Sequence, residues 1–144
     1  MSHGKENRRQ ARIQAVQQLY AREMRGVLAA AAAETADAAV PDEVVSPFAR
    51  ELVAGALDRL SEIDRLLSGA LQNWDLRRLG AVDRAILRLA VAEMLARPDI
   101  PAAVTINEAI EIARSLATTE SARFANGVLD RVRQEIGRDP HTAA

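Results

Sequence analysis

The chain of 144 residues has no cysteine. That excludes disulfides, thiolate metal sites, iron–sulfur clusters and a cysteine nucleophile. Its two histidines, His3 and His141, lie near the two ends and leave no histidine framework for a zinc centre or a Ser-His-Asp triad. Only four aromatic residues are present, Tyr20, Phe48, Trp74 and Phe124, too few for a sheet-type stacking platform. Few glycines and β-branched residues stand against an alanine content of about a fifth, a balance that favours helices over sandwiches and barrels. No apolar run approaches the ~18–20 residues of a membrane span, and the charged first residues lack the apolar stretch of a secretory leader, so a cytoplasmic protein is expected. Neither G-x-x-x-x-G-K-[ST] nor G-x-G-x-x-G occurs. Acid pairs such as Asp58/Glu62 and Glu108/Glu111 fall at helical spacing among basic residues and read as solvated helix faces. Neither a catalytic function nor a cofactor is expected.

The length fits one domain over residues 1–144. Net charge is −1, so no global field draws the chain onto nucleic acid or membrane. The charge is unevenly spread. Lys5, Arg8, Arg9, Arg12, Arg22 and Arg25 outnumber Glu6 and Glu23 in the first 25 residues, and an acidic, alanine-rich stretch follows. Arginine supplies 18 of the 19 basic residues, a bias that a GC-rich genome explains without any nucleic-acid partner.

Helical periodicity dominates the rest. Asn7 to Arg25 reads as a helix stopped by Gly26, with Ile13, Val16, Tyr20 and Met24 on its apolar stripe. Residues 27–39 suit a short, lightly packed helix ended by Pro41. Ser46-Pro47 is a start signal, cap then first helical residue. A long stripe from Phe48 to Trp74 follows, with a break expected near Ser61 and Phe48 and Trp74 both expected in the core. Asp75 can cap a turn. Val82 to Ala96 is apolar almost all round, which marks a central helix, and its exceptions Asp83, Arg84, Arg88 and Glu93 require partners. Thr105 and Glu108 fit a capping box. A last helix carries Phe124, Val128, Leu129, Val132 and Ile136, with Gly127 inside it at a cost of about 1 kcal/mol; a close helix crossing or a ligand's close approach would account for that glycine. Residues 1–6 and 137–144 are expected to be disordered.

Two clusters stand out as candidates for binding. Arg8, Arg9 and Arg12 project over the same arc as the apolar stripe of the first helix, one to two turns earlier. Either the helix protrudes beyond the core and presents them, or its start is frayed and solvated. Phe124 lies in the first turn of its helix, with Gly127 close by and Arg131 at nearly the same azimuth. It reads either as a base-stacking residue or as a peripheral core residue.

Several long, ordered motifs then become recognisable. Asn7 to Tyr20 (NRRQARIQAVQQLY), Leu79 to Leu95 (LGAVDRAILRLAVAEML) and Ile100 to Val132, with V-x-I-N-E-A-I-E and F-x-N-G-V-L-D, together resemble the NusB family of bacterial transcription antitermination factors. Val27 to Val45 departs from that pattern. The resemblance implies an all-α fold of about seven helices in two small packed bundles. It implies binding of the single-stranded boxA RNA of ribosomal transcripts, a heterodimer with the ribosomal protein NusE, and action in the RNA polymerase antitermination complex, where terminators are read through. Carried onto this chain, Arg8, Arg9 and Arg12 match the RNA-binding segment. Glu120 and Phe124 match positions around a second RNA contact. Tyr20, Asp83 and Arg88 fall on the expected NusE-binding face. Two alternatives are a non-catalytic relative of the RNA-binding domain fused to ribosomal RNA cytosine methyltransferases, and a helical homodimer with the arginine segment in its interface.

Overall fold

The computed structural model describes residues 7–26, 45–72 and 74–142. The expected helix over 27–39 and the expected disorder of 1–6 lie outside these residues. Among the described residues there are six α-helices, one short 3-10 turn and no strand. The helices are α1 Arg8–Met24, α2 Pro47–Asp58, α3 Leu60–Leu71, α4 Ala81–Ala96, α5 Ala102–Leu116 and α6 Thr119–Ile136, with the 3-10 turn Leu76–Arg78 between α3 and α4.

Local signals set most of the boundaries. The side chains of Asn7, Ser46 and Thr118 accept the N–H groups of Gln10, Ala49 and Ser121 and so satisfy orphan donors at the starts of α1, α2 and α6. Asp75 caps the 3-10 turn through the Arg77 N–H. Gly26 (φ +72°) and Gly137 (φ +80°) follow α1 and α6 in left-handed conformations that side chains other than glycine's adopt at a cost.

Two boundaries differ from expectation. The α2–α3 break falls at Arg59, which has no side-chain cap, while Ser61 lies inside α3. The helix α5 begins at Ala102 behind Pro101, three residues before Thr105. Thr105 is buried and turns its hydroxyl inward instead of capping.

The apolar surround of α4 is explained by its place. Every residue from Ala85 to Met94 is buried. Helices α1 and α2 pack against each other and against α4, while α3, α5 and α6 pack around α4 as a second group. Burying side chains such as Leu52, Leu67, Leu87 and Leu129 contributes roughly 1.5–3 kcal/mol each. Phe48 is core, as expected. Trp74 is not: the helical period that placed it in the core ends with α3 at Leu71, and its ring is 58% exposed. Gly127 serves no close crossing, because a Cβ there would meet only Arg131 Nη1, at 3.9 Å.

The segment Gly137–Thr142, expected to be disordered, is docked. Arg138 donates to the carbonyls of Met94 and Ile100 at 2.7 and 2.6 Å, and the Ala103 N–H donates to the Pro140 carbonyl at 2.7 Å. The two Arg138 bonds use carbonyls left open at the end of α4 and just beyond it, and the third uses an N–H left open at the start of α5. Arg138→Ala should therefore cost about 1–3 kcal/mol and speed hydrogen exchange at the Ala103 amide. An unchanged exchange rate there would contradict the docking.

Candidate nucleic-acid interface

The three arginines of α1 do not share one fate. Arg12 is 7% exposed. Its Nε and Nη2 donate to the two carboxylate oxygens of Glu93 at 2.8 and 2.7 Å, and Thr105 Oγ1 donates to Glu93 Oε2 at 2.7 Å. Neither a protruding nor a frayed start describes Arg12. A guanidinium is tolerated over the apolar arc because a buried carboxylate from α4 waits for it. Glu93 is 1% exposed, and three donors compensate its loss of water.

Arg9 stays half-exposed and makes a bidentate pair with Glu108 of α5 at 2.8 and 2.9 Å. The Arg9 hydrogen bonds, joined by the charges of Arg9 and Arg12, hold the Glu108 carboxyl below the usual carboxylate range. The pair is intact at neutral pH, so a phosphate that takes the Nε–Nη2 edge of Arg9 must displace Glu108.

Arg8 is exposed, with its Cζ 4.8 Å from the centroid of the Phe48 ring. The guanidiniums of Arg12 and Arg97 lie over the same ring, each at 5.4 Å. Such cation–π contacts position the cations without neutralising them. Arg97 is itself held by Asp99 and Glu51. Among the described residues Arg8 forms no ion pair. Of the three arginines read from sequence, Arg12 is thus neutralised from α4 and Arg9 from α5, while Arg8 stays open among the described residues.

The second cluster sits on α6. Glu120 is exposed in its first turn, one turn before Phe124. Phe124 is half-buried and meets Trp74 edge-on, with centroids 6.1 Å apart and planes at 75°. Arg131 Nε donates to the Ala70 carbonyl at the end of α3. No hydrogen bond or ion pair among the described residues joins this cluster to Arg8, Arg9 or Arg12. Helix α5 links them: it carries Glu108 at one and runs on for about 12 Å toward the start of α6 at the other.

The residues expected on a partner face lie along the α1–α4 seam. Tyr20 is 38% exposed. One turn on, Glu23 accepts from Arg84 Nε at 2.8 Å and approaches Arg88 Nη1 at 3.6 Å. Arg88 is mostly buried and makes a bidentate pair with Asp64 of α3 at 2.8 and 3.0 Å. Arg84 also donates to the carbonyls of Arg77 and Leu79. Asp83 is partly exposed in the first turn of α4, where a carboxylate complements the helix dipole. Arg88 therefore ties α1, α3 and α4 together, and Tyr20 offers the more accessible surface.

Sequence reasoning missed Arg97, Thr105 and Glu108 as members of the arginine cluster and missed the exposure of Trp74. The signal for the first was present in two unjoined halves: arginines on an apolar arc and an unpartnered glutamate on the central helix. Among the described residues no group of three potential metal ligands occurs, and no helix is long and apolar enough to cross a membrane.

Removing one member of the buried pair should be costly. Glu93→Ala leaves the Arg12 charge buried and unpaired, an expected loss of about 3–5 kcal/mol. The double replacement Arg12→Met with Glu93→Leu should restore most of it, as read from denaturant midpoints. A Glu93→Ala loss below about 1 kcal/mol would contradict the pair's role.

The model of the NusB family matches residues 9–134. The transcription antitermination protein NusB of Myxococcus xanthus (strain DK1622) is 44% identical over 132 residues, spanning 87% of this chain and 93% of the relative. Among solved structures, NusB of T. maritima superposes with a TM-score of 0.75 at 38% identity, covering 91% of this chain and 93% of that one. A chain from a crystal structure described as a plectonemic RNA supercoil superposes with a TM-score of 0.70 at 26% identity, covering 90% and 95%. With the all-helical fold and these matches over most of its length, the chain belongs to the NusB family, whose members are non-enzymatic transcription antitermination factors.

Proposed function

We propose that this chain is an RNA-binding antitermination adaptor that acts in the cytoplasm. It binds single-stranded boxA RNA together with the ribosomal protein NusE and joins the RNA polymerase antitermination complex, promoting read-through of terminators. The observation that carries the reading is the exposed Arg8–Arg9 pair at the start of α1, held in place from below and containing one cation without an acid partner. The structural likeness to a chain from an RNA-containing crystal supports it.

The roles divide along the geometry. Arg8 meets a phosphate first. Arg9 follows by exchanging Glu108 for a second phosphate. Arg12 serves by holding α1 in register on Glu93 and Thr105. Phosphate contacts position the strand and carry the salt-dependent share of affinity. Base choice comes from α6, where Phe124 offers a ring for stacking and Glu120 an acceptor for a base amino group. Tyr20, with Asp83 and the flank of Arg88 along the α1–α4 seam, forms the surface for NusE.

Fluorescence anisotropy with a boxA RNA and a scrambled control, with and without NusE and at several salt concentrations, tests this reading. Selective binding strengthened by NusE is expected. Absence of selectivity even with NusE would contradict it and favour a helical homodimer with the arginine segment inside. Arg8→Ala with Arg9→Ala should weaken both RNAs alike and flatten the logarithmic salt dependence by about 0.7 for each phosphate released; an unchanged slope would remove the phosphate role. Phe124→Ala should cost boxA about 1–3 kcal/mol of binding, and more than it costs the scrambled strand. Equal losses would reduce Phe124 to packing.

A further inference from the structure

Trp74 is the most exposed aromatic residue of the fold, at 58%, and the proposed function above does not use it. An indole left in water forgoes a large share of its hydrophobic gain, so its display needs a reason. The backbone that displays it is held at both sides. Gln72 leaves α3 at φ +57° and ψ −94°, a region that a residue other than glycine occupies only under strain. The Trp74 N–H donates to the Leu71 carbonyl at 3.1 Å. Immediately after it, Asp75 accepts the Arg77 N–H at 3.0 Å and fixes the 3-10 turn.

The surroundings have the chemistry of a nucleobase site. Trp74, Gln72, Asp75 and Arg78 line one shallow, open depression. Arg78 is exposed and forms no ion pair among the described residues, while the neighbouring Arg77 is engaged by Asp75. On its other side the indole touches Phe124 edge-on. An aromatic ring, an amide and an open guanidinium together match a base and its phosphate.

We infer that Trp74 is a base-stacking residue of the RNA site, with Arg78 beside it for the backbone phosphate. The inference deepens the proposed function and rests on it. The 75° angle between the Trp74 and Phe124 planes adds a specific consequence. Two perpendicular rings do not accept consecutive bases of one continuous stack. They hold two bases splayed apart, the geometry in which base edges become readable.

The chain has no other tryptophan, so its indole emission reports on Trp74 alone. Titrating the full chain with boxA RNA should quench that emission with the same midpoint as the anisotropy of labelled RNA. Trp74→Ala should weaken boxA binding, measured with NusE present, by about tenfold, and Trp74→Phe should restore most of the loss. The exposed position predicts an unchanged thermal midpoint for both variants. RNA binding without quenching, together with wild-type affinity in Trp74→Ala, overturns the inference and leaves the proposed function standing. So does a Trp74→Ala variant that loses NusE in the absence of RNA yet keeps its RNA affinity, since the ring would then be a protein contact. If the wild-type chain binds no RNA even with NusE, the failure lies in the proposed function itself and the inference falls with it.

Discussion

The buried pair of Arg12 and Glu93 is the interaction on which the rest of the arrangement depends. It joins residues 81 positions apart in the chain and draws α1, α4 and α5 together, because Thr105 donates to the same carboxylate. A charge pair so deeply buried contributes little net stability compared with apolar residues of the same volume. Its effect is on geometry. Two parallel hydrogen bonds between a planar guanidinium and a carboxylate fix both distance and orientation. The start of α1 is thereby set at one register against α5, which is what places Arg9 opposite Glu108 and Arg8 over Phe48.

That arrangement changes the meaning of the basic N-terminal segment. A run of arginines suggests a field that attracts phosphate indiscriminately. In the folded chain Arg12 is matched by Glu93 and Arg9 by Glu108. Among Arg8, Arg9 and Arg12 this leaves one open cation and one exchangeable pair. In the proposed function this moderates non-specific attraction to RNA, and selectivity falls to Phe124 and Glu120 near the start of α6. Positioning and base choice then reside on different helices, linked by α5.

The sequence was most legible where structure is decided locally. Ser46 and Asp75 cap as read, and Asn7 marks the start of α1, because a short polar side chain satisfies an N–H two or three residues on. The all-round apolar character of α4 marked it as central for an equally direct reason. Two of the misreadings share one cause: a tertiary partner overrode a local pattern. Thr105 has the spacing of a cap but serves Glu93. Arg138 looks like part of a polar tail but finds open carbonyls after α4. Trp74 continues an apolar period that has no meaning once the helix ends. For the candidate site, the residues named from sequence were largely surface-accessible, while Arg12 and Arg88 are buried in ion pairs. An arginine's type and spacing are the same whether it faces a phosphate or a glutamate distant in sequence.

In the proposed function Arg12 fixes the geometry while Arg8 meets the ligand. The sharpest check on that division of roles is the salt dependence of boxA binding in the folded double variant Arg12→Met with Glu93→Leu, beside Arg8→Ala. The double variant should keep the wild-type salt slope, because every phosphate keeps its arginine, while Arg8→Ala should lower the slope by about 0.7. The opposite result, a folded double variant with the lowered slope and an Arg8→Ala variant without it, would make Arg12 the phosphate ligand and reverse the two roles.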